Sequence, residues 1–69
     1  MKTIDAQGLS CPEPVVLTRN AVKEDPEGVI VLVDAVAARE NVTRFGKSQG
    51  YAVAVEDTQD GWKLNLTKA

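Results

Sequence analysis

Asp25-Pro26-Glu27-Gly28-Val29-Ile30-Val31-Leu32-Val33-Asp34 decides the fold of this chain. The proline and glycine at its start cannot continue a helix and enforce a stop. Val29 to Val33 then form a continuous apolar run of strong strand propensity. Such a run predicts a central strand whose two sides both meet other elements, closed by Asp34.

On the amino-terminal side, Val15, Ala21 and Val22, with Val16 or Leu17 beside them, recur at helical spacing from Pro12 up to the Asp25-Pro26 stop. Before them, Thr3 and Asp5 alternate with Ile4 and Ala6, the period-two pattern of a half-buried strand over Lys2 to Ala6, and Gln7-Gly8-Leu9-Ser10 ends it. On the carboxyl-terminal side, Ala38, Val42 and Phe45 predict an amphipathic helix ending at Gly50. Gly46 weakens that helix by about 1 kcal/mol relative to Ala, which suggests close packing at this point. Tyr51, Val53 and Val55 alternate with Ala52 and Ala54 in one strand. Trp62, Leu64 and Leu66 alternate with Lys63, Asn65 and Thr67 in another, with Asp57 to Gly61 as the hairpin loop. The order is βαβαββ, an α/β fold expected as a two-layer sandwich with both helices on one face of a four-stranded mixed sheet. One domain, residues 1–69, accounts for the whole sequence, and alternation leaves the strand order open.

A chain of 69 residues buries only about 60% of its unfolded surface, so its stability is expected to be modest. A single Cys excludes an internal disulfide, and the absence of His removes the common zinc sites. The core must therefore hold the fold, and with only Phe45, Tyr51 and Trp62 as aromatics it is packed mainly by Val, Leu, Ile and Ala. A net charge of −2 without a Lys/Arg block argues against binding to a phosphate backbone. Neither a signal peptide nor a run of about 20 apolar residues is present, so no membrane partner is expected. The default is the cytoplasm, where a lone thiol stays reduced.

Cys11, followed by Pro12-Glu13-Pro14, is the candidate working group. A helix start carries unpaired N–H groups and about half a positive charge, which favours a thiolate over a thiol. Cys11 as the N-cap puts Pro12 and Pro14 at the first and third helical positions and leaves the Glu13 N–H as the main backbone donor able to face the sulfur. Alternatively Glu13 is the cap and the helix begins at Pro14, because a residue before proline resists helical geometry. A Glu13 carboxylate aimed at the sulfur would oppose activation, and Arg19, Lys23, Arg39 and Arg44 are the candidate counterweights. Free cysteine is most often a small buried hydrophobe, but Gly8-Leu9-Ser10 before it and two prolines after it point to an exposed junction. Asp34 and Asn41 suit cap and helix-surface roles better than site roles, and Tyr51 and Trp62 suit the core or its rim.

Without His there is no Cys-His nucleophile pair, and without a second Cys no Cys-x-x-Cys redox centre; no glycine-rich phosphate loop is present either. A lone cysteine can still accept, hold and donate a sulfur atom by thiolate attack on a partner's persulfide. A peroxide-sensing thiol would want a resolving Cys from another chain.

Asp5-Ala6-Gln7-Gly8-Leu9-Ser10-Cys11-Pro12-Glu13-Pro14 resembles the Cys-Pro-x-Pro signature region of the TusA/SirA-like sulfur-carrier family. The resemblance extends over nearly the whole chain. Ala38-Arg39-Glu40-Asn41-Val42, Arg44-Phe45 and Ser48-Gln49-Gly50-Tyr51 are most similar to the TusA-like N-terminal domain of YedF-type proteins of selenium metabolism. It implies the two-layer sandwich, a persulfide on Cys11, and helix-start support from Pro12, Glu13 and Pro14. It also implies a cysteine desulfurase or other sulfur donor and a downstream acceptor protein as partners, and no cofactor beyond the transient persulfide; a monomer is expected. Such a protein is a carrier of sulfurtransferase type rather than a free-standing multi-turnover enzyme. Glu40-Asn41 departs from the Arg-Asp pair that many carriers of the tRNA pathway have there. YedF-type proteins usually continue into a DsrE-like domain, so the chain is either a small paralogue or a piece of a longer protein. Two further functions share these residues: an interaction or regulatory module without transfer chemistry, and selenium delivery through the same thiol.

Overall fold

The six elements follow in the predicted order: β1 (Lys2–Asp5), α1 (Glu13–Glu24), β2 (Gly28–Val33), α2 (Val36–Ser48), β3 (Tyr51–Asp57) and β4 (Trp62–Lys68). They are seen in a computed structural model that describes residues 2–10 and 12–69. The strand order, which alternation leaves open, is β1-β2-β4-β3. β1 pairs parallel to β2, and β4 runs antiparallel to both β2 and β3. α1 packs on β1 and β2, and α2 on β3 and β4, so both helices cover the same face.

Strand residues two apart share a face, and this places Val29, Val31 and Val33 of β2 together under the helices, all three fully buried. The register sets Val29 beside Leu66 and Val31 beside Leu64, both also fully buried. Each such side chain contributes about 1.5–3 kcal/mol by leaving water. Ala6, Ala21, Ala38 and Val42 complete the buried cluster among the described residues. Among the described residues the other side of β2 meets no second layer, contrary to the reading of its apolar run. Ile30 and Leu32 stay half-buried on an open sheet face, beside Asn65 and Lys63 of β4 and Thr3 and Asp5 of β1.

The buried stripe of α1 is Pro14, Thr18 and Ala21, with Val15, Leu17 and Val22 packed at its flanks. Val16 is exposed. Thr18 escaped the sequence reading because a hydroxyl normally marks a solvent position; here its Oγ1 donates to the Pro14 carbonyl at 2.8 Å, which satisfies it inside the core. On α2 the buried residues are Ala38, Val42 and Gly46, while Phe45 is only half-buried. A Cβ on Gly46 would come 2.9 Å from both Leu66 Cδ2 and Val53 Cγ2. The glycine is therefore a notch that lets α2 settle onto the sheet. At the ends of the molecule, the Tyr51 hydroxyl donates to the Pro26 carbonyl at 2.7 Å. Lys2 pairs with Glu24, holding that carboxyl below and the Lys2 amine above their ordinary values, first through the hydrogen bond and then through charge. Glu24's share of this exposed link is present above the ordinary carboxylate range and is lost as pH falls through its lowered value.

Leu66→Ala should destabilise the fold by about 2–5 kcal/mol, read as a lower urea midpoint. Gly46→Ala is strained in the wild type by contacts with both Leu66 and Val53, and Leu66→Ala relieves the first of them. In the Leu66→Ala background it should therefore be less damaging by about 1 kcal/mol, a coupling that a double-mutant cycle measures. Strictly additive effects would contradict the notch.

Candidate functional site

Parallel β1 and β2 send their carboxyl ends the same way, and antiparallel β4 begins there, with Trp62 opposite Val33. Both helices also start at this end, since each follows directly on one of those strands. The segment from Ala6 to Pro14 crosses it. Ala6 is fully buried and extends the β1–β2 ladder by donating its N–H to the Leu32 carbonyl at 2.8 Å. The Gln7 N–H donates to Asp5 Oδ1 at 3.0 Å, an Asx turn that breaks the strand. Gly8 has φ 77, in the left-handed region that a glycine enters without a Cβ penalty. Leu9 turns back onto the core, while Ser10 is exposed.

Asp34, just past the end of β2, fixes this loop: both of its carboxylate oxygens accept the Gly8 N–H at 3.0 Å. It is not the cap of α2. That position belongs to Ala35, and neither helix has a side-chain cap hydrogen bond. Asp34 is held in turn by the hairpin, because a Cβ on Gly61 would lie 2.2 Å from the Val33 oxygen and 2.7 Å from Asp34 Cα. Gly61 is thus a glycine of close approach rather than of turn conformation. The Asp34 to Gly8 bond spans 26 residues, so no local signal in the sequence announces it.

Cys11 lies outside the described residues. Its neighbours Ser10 and Pro12 are exposed, as is Glu13, and Pro14 is buried. The helix register differs from both alternatives drawn from the sequence: Pro12 is the N-cap with φ −99 and ψ 12, Glu13 is the first helical residue, and Pro14 the second. The reason is a turn that winds directly into the helix, in which the Glu13 N–H donates to the Ser10 carbonyl at 3.0 Å and the Val16 N–H to the Pro12 carbonyl at 3.0 Å. The Glu13 N–H donates to Ser10, and whether it also faces the Cys11 sulfur lies outside the described residues. Pro14 sits where its missing N–H costs nothing, and its ring is driven into the core.

Of the four candidate cations, Arg39 is the one in the first turns of α2, at this same end. Its guanidinium lies 4.7 Å from the centre of the Trp62 ring, within cation–π range, and 3.8 Å from Glu40. Arg19 and Lys23 lie farther along α1, with Lys23 in its last turn, and Arg44 lies farther along α2. Trp62 and Tyr51 are half-buried against the core, as their residue types suggest. Asn41 is half-buried on α2. Among the described residues no group of three or more acidic or sulfur side chains could hold a metal ion. Among the described residues no helix is long and apolar enough to cross a membrane.

Comparison with known proteins gives one consistent result. A protein of Methanocaldococcus jannaschii named "Putative sulfur carrier protein MJ0990" is 37% identical over 71 residues, covering 99% of this chain and 95% of its own length. The Bacillus subtilis protein named "Putative sulfur carrier protein YrkI" is 39% identical over 62 residues, covering 87% of this chain and 81% of its own. In three dimensions the crystal structure of a SirA-like protein from Desulfitobacterium hafniense superposes with a TM-score of 0.87 at 32% identity, covering 97% of this chain and 96% of the other. The family model described as "Sulfurtransferase TusA" matches residues 2–68. With nearly the whole sequence and the whole βαβαββ sandwich in agreement, the chain belongs to the TusA sulfurtransferase family.

Proposed function

We propose that this protein is a sulfur carrier that takes up a sulfane sulfur on Cys11 and relays it to an acceptor protein. The observation that carries this reading is the match of residues 2–68 to the TusA family, joined to a braced loop that brings the chain to the start of α1 between two exposed residues, Ser10 and Pro12. The aligned peptides of α1 favour a thiolate near that start. In the uptake step the Cys11 thiolate attacks the outer sulfur of a donor's persulfide. A new S–S bond forms, the donor's S–S bond breaks, and the donor leaves as a thiolate, so no external oxidant or reductant is consumed. Delivery is the same exchange with the acceptor as nucleophile.

A cysteine desulfurase suits the role of donor, and the reducing cytoplasm suits a protein whose single thiol must stay unpaired. Glu13, exposed in the first turn, is available to a partner's cation. Asp34 serves as a positioning residue through Gly8, because the loop it holds leads into the Cys-Pro-Glu-Pro segment. Selenium delivery, suggested by the similarity to YedF-type domains, would use the same nucleophile.

Incubation with a cysteine desulfurase and cysteine should add about 32 Da to the intact protein, and Cys11→Ser should remain unmodified. A wild-type chain that never gains this mass, or a Cys11→Ser variant that does, contradicts the carrier role. Replacing cysteine by selenocysteine as the desulfurase substrate distinguishes the selenium alternative by the larger mass added, through the same exchange and with no external oxidant. Asp34→Ala should leave the fold intact at a cost of about 1 kcal/mol and should speed hydrogen exchange at the Gly8 amide. It should also slow sulfur uptake while Cys11 remains the sole modified residue. Unchanged Gly8 exchange would remove Asp34 from the positioning role.

A further inference from the structure

β3 is an outer strand of the sheet, so one side of its backbone has no partner strand. Natural edges are usually blunted by lysine, proline or a bulge. β3 has neither lysine nor proline, its charged residues Glu56 and Asp57 are confined to its last two positions, and its pairing with β4 runs without interruption. Along this edge lies a groove of about 590 Å³ between β3 and the outer flank of α2, lined by Arg39, Glu40, Thr43, Arg44, Lys47 and Val55. Val55 contributes an exposed apolar floor, with 45% of its surface accessible.

The charges in the groove are uneven along its length. Arg39 is engaged with Trp62 and Glu40. Among the described residues Arg44 and Lys47 have no ion-pair partner. The four charged groove residues carry +2, so the remainder of the chain carries −4 against a total of −2. A local cationic strip thus stands on an otherwise acidic protein.

We propose that the β3 edge and this groove dock an extended acidic segment of a partner protein by strand addition. Main-chain hydrogen bonds to β3 would hold the segment, and alternate side chains would face α2. Arg44 and Lys47, three residues apart on the helix, lie about 5–6 Å from each other. Carboxylates two residues apart on a strand are spaced by about 6.8 Å, so every second residue of the segment meets one cation, with small apolar contact on Val55. Carboxylates seat at the Arg44–Lys47 half, because Glu40 and Asp57 stand toward the other end of the groove.

A second copy pairing β3 to β3 is a competing occupant that the oligomeric state in solution distinguishes. A nucleic acid would meet the acidic remainder of the surface and gain nothing from the unpaired strand edge. The Arg44–Lys47 half of the groove lies farther along α2 than Arg39, and docking there does not depend on the Cys11 chemistry.

The test is a fluorescein-labelled peptide of alternating Val and Glu, matched in length to the seven residues of β3, titrated into the full chain by anisotropy and by NMR. Saturable binding is expected, with shifts concentrated on β3 and α2. Arg44→Glu/Lys47→Glu should weaken it about tenfold or more, as should added salt, whereas Cys11→Ser should bind like wild type. A peptide with Lys in place of Glu, and one N-methylated on its β3-facing amides, should both fail to bind, and these two arms need no protein variant. The proposal is overturned if no binding occurs up to about 1 mM peptide, if the shifts lie elsewhere, or if the Lys or N-methyl peptide binds equally well. Tighter binding by a single-stranded oligonucleotide, or a stable dimer at the β3 edge, overturns it as well.

Discussion

Val29, Val31 and Val33 project from one face of β2 and are sealed there against Leu64 and Leu66 of β4, and the remaining architecture is arranged around that contact. A 69-residue chain without a crosslink has little else to draw on, since its total stability is a small difference between large opposing terms. Because β2 holds β1 on one side and β4 on the other, both helices must settle on the face that β2 fills with valine. The carboxyl ends of β1 and β2 then stand together, and the loop that follows β1 passes the residue that ends β2. The grip of Asp34 on Gly8 is a consequence of this adjacency.

Much of this was legible from residue patterns, and the failures have physical causes. Strands β3 and β4 alternate cleanly because one face is wet, so both were readable. β2 misled through its uniformity: Ile30 and Leu32 read as burial on both sides, yet β propensity alone sustains them on a face with no second layer. Thr18 was hidden because its hydroxyl is satisfied by its own helix four residues back. The strand order was out of reach, as the insertion of β4 between β2 and β3 leaves no trace in the alternation of either.

The site divides the same way. The Cys-Pro-Glu-Pro motif pointed to a helix start, and α1 does begin within it, but one residue away from each expected register. Local rules give proline a place in the first turn without choosing between adjacent positions, and the deciding contact, Glu13 to Ser10, depends on how the loop before it is folded. The contacts that brace the loop join residues far apart in sequence. Asp34 with Gly8, and Gly61 against Val33, become visible only when the sheet is assembled.

The bare side of the sheet separates two kinds of sequence freedom. Substitutions under the helices must preserve volume, because neighbouring side chains there have nowhere to go. At Ile30, Leu32, Ala52 and Ala54 the constraint is only that a residue tolerate an extended backbone, so descendants of this protein can drift there toward polar or charged residues. Its solubility and its choice of neighbours can then evolve on one side of the molecule while the loop end is left undisturbed.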